Sequence, residues 1–374
     1  MRIVFFANTE WYLYNFRRSL ALAVRDAGHE VIMISPPGPY APKLEALGLR
    51  WIAAPMERRS LNPLRELKFI SWLRNLLVVE QVDLIHGFTI KCAVYSAIAA
   101  RFAGNRACVS AVTGLGYVFI GHDLRARMLR PIVQSIIRFA MRGKNVRLIL
   151  QNIDDLAVFK QAKMIDPLYI RLIRSSGVDC SRFSRCAVRI QNEPLRILLA
   201  ARLLWDKGIG EYVEAARILK KQGRTVHFLL AGSPDAGNPN AVSELSVKAW
   251  VSEGLIEWLG HIDDMPALFA TIHAFILPSA YREGVPKSLI EAAACGLVLV
   301  TTDAPGCREV VTHEVDGLLI PIKNADALAA AIARIDDDLD LAVRLGEAAK
   351  TKALLEFDEK IVIQKTMAVY EELL

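Results

Sequence analysis

Twelve short runs of aliphatic and β-branched residues punctuate the chain at near-regular intervals. Six fall in the first half: RIVFFA (2–7), EVIMIS (30–35), LRWIAA (49–54), VDLIH (82–86), ACVSAVT (107–113) and VRLILQ (146–151). Six more follow: LRILLAA (195–201), TVHFLLAG (225–232), LIEWLG (255–260), HAFILP (273–278), LVLVTT (297–302) and GLLIPI (317–322). Runs this short, apolar along their whole length, read as strands buried on both faces. Helical patterns such as NFRRSLALAVRDAG and PLRELKFISWLRNLLVVEQ separate several of them. Strand alternating with helix makes a parallel sheet covered on both sides. A chain of 374 residues exceeds one ordinary core. Between the two series, SSGVDCSRFSRCAVRIQNEP is turn-rich and aperiodic, so two doubly wound α/β domains are expected, 1–185 and 186–374, with the last helix able to pack back on the first. Such sheets bind ligands at the carboxyl ends of their strands, and two facing units make a cleft.

Hydrophobic residues make up 53% of the chain, yet no run long enough to span a bilayer occurs. The N-terminus MRIVFFANTEWYLYNF reads as a first strand rather than a signal peptide. Six scattered cysteines without a C-x-x-C pair read as reduced cytosolic thiols. No H-E-x-x-H or Cys/His cluster is present, so no protein-bound metal and no cofactor is expected. The acidic run Asp336–Asp338 reads as a solvated turn between amphipathic helices.

Charge is lopsided. Residues 1–150 hold 21 Lys/Arg against 9 Asp/Glu, whereas the remainder is net acidic. A basic half suits an anionic partner: a membrane surface, a phosphorylated acceptor or nucleic acid. No aromatic-interleaved basic motif supports nucleic acid. LRARMLRPIVQSIIRFAMRGK (124–144) interleaves Arg125, Arg127, Arg130, Arg138, Arg142 and Lys144 with apolar residues, and Pro131 kinks or starts a helix there. Such a helix either lies on an anionic membrane or packs its apolar face on the sheet.

The chemistry concentrates in YREGVPKSLIEAAACG (281–296). Glu283 precedes a Gly-Val-Pro turn and Glu291 lies about one turn inside the following Ala-rich helix. The helix start offers unpaired N–H groups and a positive dipole end to phosphate. Carboxylates beside a phosphate site are suited to sugar hydroxyls carried on that phosphate. Upstream, ARLLWDKG puts Arg202 at a strand end and Lys207 before a helix, two cations able to clamp a diphosphate.

ARLLWDKG, then about seventy-five residues later PSAYREGVPKSLIEAAACGLVLVTTDAPGCREVV, then DGLLIP, together resemble the donor half of the retaining glycosyltransferases of family four. Glu283 and Glu291, separated by seven residues, match that family's glutamate pair, and SSGVDCSRF resembles the segment before its interdomain linker. The resemblance covers nearly the whole chain and implies the GT-B architecture. It further implies that Arg202 and Lys207 hold the donor diphosphate and that Glu283 meets the transferred sugar. The Gly284, Val285, Pro286 and Lys287 backbone would lie beside it, with Ser288 and Leu289 opening the phosphate-binding helix. Glu291 would bind the ribose, and His261 of GHIDD would line the nucleobase pocket.

On the acceptor side, RRSLNP (58–63), HGFTIK (86–91) and TGLGYVF (113–119) resemble the subgroup that builds bacterial surface glycans on undecaprenyl diphosphate. His86, Lys91, Thr113, Gly114 and Tyr117 are its candidate residues; where many members place a histidine, this chain has Thr113–Gly114. The implied reaction is metal-independent transfer of N-acetylgalactosamine or another N-acetylhexosamine from a UDP-sugar to a lipid-linked saccharide. The implied place is the cytoplasmic face of the inner membrane, as a peripheral protein. Competing readings are a sugar-nucleotide epimerase, a phosphorylase, and a non-catalytic glycan- or nucleic-acid-binding protein.

Overall fold

The computed structural model describes residues 1–57, 60, 62–114, 119, 124–183, 193–235, 237–282 and 284–374. Glu283, Tyr117, Arg58 and Arg59, and the side chain of Arg125, lie outside the described residues. The chain divides into two compact units, Met1–Gly177 with Glu359–Leu374, and Val178–Asp358.

In the first unit the strands are β1 (Arg2–Phe6), β2 (Glu30–Ser35), β3 (Arg50–Ala53), β4 (Leu84–Phe88), β5 (Ala107–Val112), β6 (Val146–Leu150) and β7 (Ile170–Leu172). All pair in parallel, in the order β3-β2-β1-β4-β5-β6-β7. The described helices are α1 (Glu10–Asp26), α2 (Ala41–Glu45), α3 (Pro63–Val79), α4 (Ile90–Phe102), α5 (Leu124–Ala140) and α6 (Ile153–Gln161). Caps set their starts: the Thr9 hydroxyl accepts from Tyr12 N–H at 3.2 Å, and Asn62 accepts from Leu64 N–H at 3.0 Å, just before Pro63. α5 runs on through Pro131 instead of starting there. The three-residue β7 has no counterpart among the expected runs.

The second unit carries β8 (Leu195–Ala200), β9 (Val226–Ala231), β10 (Glu257–Gly260), β11 (Ala274–Leu277), β12 (Val298–Thr302) and β13 (Leu318–Ile320), ordered β10-β9-β8-β11-β12-β13 and again parallel. Its helices are α7 (Ile209–Lys221), α8 (Glu244–Ser252), α9 (Met265–Phe269), α10 (Lys287–Cys295), α11 (Cys307–Val310), α12 (Ala325–Asp337) and α13 (Leu339–Lys352). A π-helical turn at Ala353–Phe357 leads out of α13. In both sheets the strand order reverses once, between β1 and β4 and between β8 and β11. That switch point is where open α/β sheets leave a crevice for ligands.

The central strands of each sheet are buried on both faces, which is why they are largely apolar, while the edge strands β3 and β10 have no buried residue. In the second unit, Ile197, Leu199, Ile276 and Val300 pack one way, while Leu198, Phe275, Leu277 and Leu299 pack the other. The last helix, α14 (Glu359–Glu371), returns to the first unit: Val362, Val369 and Tyr370 join Ile3, Phe5, Leu13 and Leu20 in one core. The divide therefore falls at Gly177/Val178, ahead of the expected 185. Val178 already pairs with the second unit, its N–H donating to Phe357 O at 3.0 Å.

The acidic run is more committed than a solvated turn. Asp336 and Asp337 pair with Arg224 at 3.3 and 2.6 Å, and Asp338 caps α13 through Leu341 N–H at 2.9 Å. The five described cysteines are buried and in no disulfide, and burial pushes the Cys92 and Cys108 thiols up to about 12.

Candidate active site

At the switch point of the second sheet, the loops leaving β8 and β11 are stitched together. The Asp206 carbonyl accepts from Ala280 N–H at 2.9 Å, Tyr281 N–H at 3.1 Å and the Ser279 hydroxyl at 3.2 Å. Thr301 and Thr302 of β12 donate their hydroxyls to the Leu277 and Ser279 carbonyls, so the neighbouring strand braces the same loop. Gly208 holds φ +77°, and a Cβ there would collide with the Pro278 carbonyl oxygen. Only glycine lets the turn before α7 press against β11's end. Gly232, just after β9, likewise lies against the Ala201 carbonyl and donates its N–H to Gly260 O at 2.6 Å.

Of the donor-side residues expected from sequence, Arg202, Lys207 and the stretch 284–291 lie on or follow the loops leaving β8 and β11. Arg202 leaves β8 with 61% of its side chain exposed, and its Nη1 donates to Asp235 Oδ2 at 2.8 Å. Lys207 closes the turn at Trp205–Lys207, its Nζ 5.8 Å from the centre of the Tyr281 ring. Gly284 and Val285 are half-buried and lead to Pro286, which caps α10 without any side-chain acceptor. By helix geometry the first-turn N–H groups look outward from the start of α10 rather than into it. A helix start concentrates positive potential, here after the β11 loop that is hydrogen-bonded to the turn carrying Lys207.

Glu291 lies on α10 with Lys287 Nζ 3.9 Å from its Oε1. Burial raises its carboxyl above the usual range, and Lys287 and Arg182 partly offset that. A carboxylate held in such surroundings is ready to accept a hydrogen bond from a ligand hydroxyl. His261 follows β10, is 73% exposed and sits 3.3 Å from Asp263. It stands at the sheet's edge, two strands from β8.

The acceptor-side residues are placed differently. His86 lies in mid-strand, because β4 continues to Phe88 beyond the expected end at 86. Strand alternation turns it, with Leu84 and Phe88, into the core shared with α14. It is 1% exposed; its Nδ1 lies 2.6 Å from the Tyr370 hydroxyl, and its Nε2 has no partner among the described residues. Burial, then the nearby Arg17, drives its pKa well below the ordinary value, so it stays neutral. His86 is thus a core residue tying α14 to the sheet, not a group presented at a strand end. Lys91 donates to the carbonyls of Glu57 and Ser60 at 3.1 and 3.0 Å and to Glu66 Oε1 at 3.0 Å. The Tyr95 hydroxyl donates to Glu66 Oε2 at 2.7 Å. Lys91 fastens the segment before α3. Thr113 and Gly114, half-buried, follow β5.

Asp235, Asp206 and Arg182 escaped sequence reasoning. Asp235 could have been found from strand order, since β9 neighbours β8 and its following turn must approach Arg202. Arg182 carries no such signal. Among the described residues no group of three or more His, Cys, Asp or Glu could hold a metal ion.

Residues 182–352 match the family described as glycosyl transferases group 1, and residues 2–152 match glycosyl transferase 4-like. Over 386 aligned positions, covering 100% of this chain and 99% of the relative, the sequence is 30% identical to the N,N'-diacetylbacillosaminyl-diphospho-undecaprenol alpha-1,3-N-acetylgalactosaminyltransferase of Campylobacter jejuni. The fold is similar to the crystal structure of a glycosyltransferase from Rickettsia africae, with TM-score 0.80, 21% identity, and 100% and 98% of the two chains covered. It is also similar to Anabaena HepE in complex with UDP and glucose, with TM-score 0.78, 20% identity and 99% of each chain covered. Two parallel α/β units joined in this order, and a relative matched from end to end, make the chain a member of the glycosyl transferases group 1 family with the GT-B fold.

Proposed function

We propose that this glycosyltransferase moves N-acetylgalactosamine, or another N-acetylhexosamine, from a UDP-sugar to a polyprenyl-diphosphate-linked saccharide, retaining the anomeric configuration and using no metal. The observation that carries the donor half is that Arg202, Lys207 and the start of α10 all lie on or follow the loops leaving β8 and β11, the strands of the sheet's switch point. The lipid-linked acceptor and the amino sugar are supported by the full-length relative, whose name describes transfer of that kind. The basic first half and the amphipathic α5 favour work at the anionic cytoplasmic face of the inner membrane. Among the described residues no helix is long and apolar enough to cross a bilayer.

In this reading Arg202, Lys207 and the α10 N–H groups grip the diphosphate. As the anomeric C–O bond breaks, negative charge gathers on the leaving phosphate, so the grip tightens in the transition state and lowers the barrier. The acceptor hydroxyl attacks from the face the phosphate leaves, and its proton passes to the departing phosphate oxygen. UDP and an α-glycoside are released. Fixed cations and helix N–H groups do here what a metal would do elsewhere. Glu291 orients the nucleotide through its ribose, and Glu283, outside the described residues, is assigned to the sugar hydroxyls by the family resemblance.

The deciding experiment is a mass-shift assay on an undecaprenyl-diphosphate-linked sugar in detergent with EDTA, offering UDP-GalNAc, UDP-GlcNAc and UDP-Gal separately. Gain of one N-acetylhexosamine is the expected result, and an α linkage by NMR establishes retention. No shift from a protein that still binds UDP removes the acceptor assignment. Conversion of the donor without acceptor points to an epimerase instead, and activity lost in EDTA overturns metal independence.

A further inference from the structure

α5 presents an apolar stripe to solvent. Met128, Ile132, Ile136 and Phe139 recur every three or four residues, between 44% and 67% exposed, while Ile137 and Ala140 turn inward to the core. At the helix's C-terminal end the stripe runs into two adjoining hollows of about 600 and 210 Å³, which share Arg142, Gly143 and Lys144. Arg101, Arg106, Arg138, Arg142, Lys144 and Lys163 line them. Asp166 is the one acid in the lining, and it is engaged with Leu168 N–H at 2.9 Å.

The six cations share an unusual arrangement: among the described residues none has a carboxylate within 4.0 Å. Backbone carbonyls hold several of them instead. Arg138 donates to Lys163 O at 3.1 Å and Ala162 O at 3.0 Å, Arg106 to Ala103 O at 3.2 Å, and Arg101 to Arg142 O. Elsewhere in the same unit arginines are neutralised: Arg50 by Glu80, Arg65 by Glu57, Arg147 and Arg171 by Glu372. Like charges held together repel, and an anion among them relieves that repulsion. Phe139 adds its ring beneath Arg101 at 4.9 Å, joining stripe to pocket.

The pocket lies at the amino ends of β5 and β6, where Arg106 and Lys144 precede the strands. Thr113 and Lys91 stand at the opposite, carboxyl edge, so this is not part of the reacting site. We propose that the pocket seats the phosphodiester headgroup of an anionic phospholipid while Met128, Ile132, Ile136 and Phe139 enter the interfacial acyl region. A soluble phosphate compound would require the cations but not four exposed apolar side chains leading to them. The proposal rests on the reading that the protein works at a membrane on a lipid-linked acceptor, and it specifies where the first unit touches that membrane.

The test is co-sedimentation with vesicles of pure phosphatidylcholine and of phosphatidylcholine containing about 30 mol % phosphatidylglycerol, where each cation at the surface contributes roughly fivefold to binding. The wild-type protein should partition onto the anionic vesicles alone. Arg142→Glu with Lys144→Glu should lower that partitioning roughly tenfold or more at unchanged thermal midpoint. Lys163→Glu, from the other wall, serves if the double variant is unstable. Activity on detergent-dispersed acceptor should be unaffected by either variant, so failure of the transfer reading would show there and not in the vesicles. Equal binding of variant and wild type, or equal binding to both vesicle types, overturns the proposal. So does calorimetric binding of inorganic phosphate without any vesicle recruitment, which would mark a soluble-anion site.

Discussion

Lys207 and Arg202 serve the same strand edge on different terms. Arg202 is largely in water and shares its charge with Asp235, whereas Lys207 ends a tight turn held by Trp205 N–H to Asn240 O, Lys207 N–H to Leu204 O and the Asp206 carbonyl. Lys207→Ala is expected to lower kcat/KM about 10²–10³-fold at unchanged thermal midpoint, the size of effect seen when one fixed donor to a developing anion is lost. Arg202→Ala should cost about tenfold, since an exposed, screened cation does less; the two variants compared under one steady-state assay check the ranking. Gly208→Ala tests the turn itself. Left-handed backbone costs an L-residue roughly 1–2 kcal/mol, and the added Cβ meets a strand-end carbonyl, so both stability and turnover should fall. Glu291 gives a prediction with a sign. Burial raises its pKa in the folded state, so the folded protein holds that proton more tightly than the unfolded chain. The resulting stabilisation is full below the unfolded value and is lost as pH rises through the folded one. At about pH 7.5 Glu291→Gln should therefore raise the thermal midpoint, with no difference below about pH 4. UDP should bind the variant more weakly at neutral pH, and only the wild type should lose UDP affinity as acid titrates the carboxylate.

At the scale of strands and helices, the twelve expected runs are all strands, because strands covered on both faces are mostly apolar and so write themselves plainly in sequence. β7 reads Ile-Arg-Leu and lacks the surrounding apolar run that made the equally short β13 visible within GLLIPI. The turn-helix start at 284–289 was legible for a different reason: Gly-Val-Pro before an Ala-rich run marks both the break and the first helical turn. His86 was not legible. Its partner lies 284 residues downstream, and whether β4 stops at 86 or 88 decides whether the imidazole meets solvent or core. Pairing distances of that kind leave no local trace. The bond between them is itself testable. Tyr370→Phe keeps the ring packing and removes the hydroxyl, leaving a buried imidazole with neither nitrogen paired among the described residues. A loss of about 1–3 kcal/mol in urea unfolding is expected. No change would mean that water reaches His86 and that the contact carries no stability.

The whole molecule is asymmetric in how its chain is shared. The second unit is continuous, from Val178 to Asp358, while the first needs two pieces. Residues 178–358 contain every strand of one sheet and both cores that cover it, as well as Arg202, Lys207 and α10. Residues 1–177 lack α14, whose Val362, Val369 and Tyr370 close one face of the other sheet over Ile3, Phe5 and Leu84. Fully burying a Val side chain is worth about 1.5 kcal/mol or more, so uncovering this patch removes a large part of a net stability of about 5–15 kcal/mol. Expressed alone, 178–358 should fold and bind UDP with an affinity within about tenfold of the full chain, a factor of about 1.4 kcal/mol. Expressed alone, 1–177 should aggregate or unfold, and fusing 359–374 to its end through a flexible linker should restore a cooperative transition. If instead 178–358 folds yet does not bind UDP, the donor site must draw residues from the first unit. If 1–177 folds without help, α14 is an accessory to that core and the contact with His86 loses its structural importance.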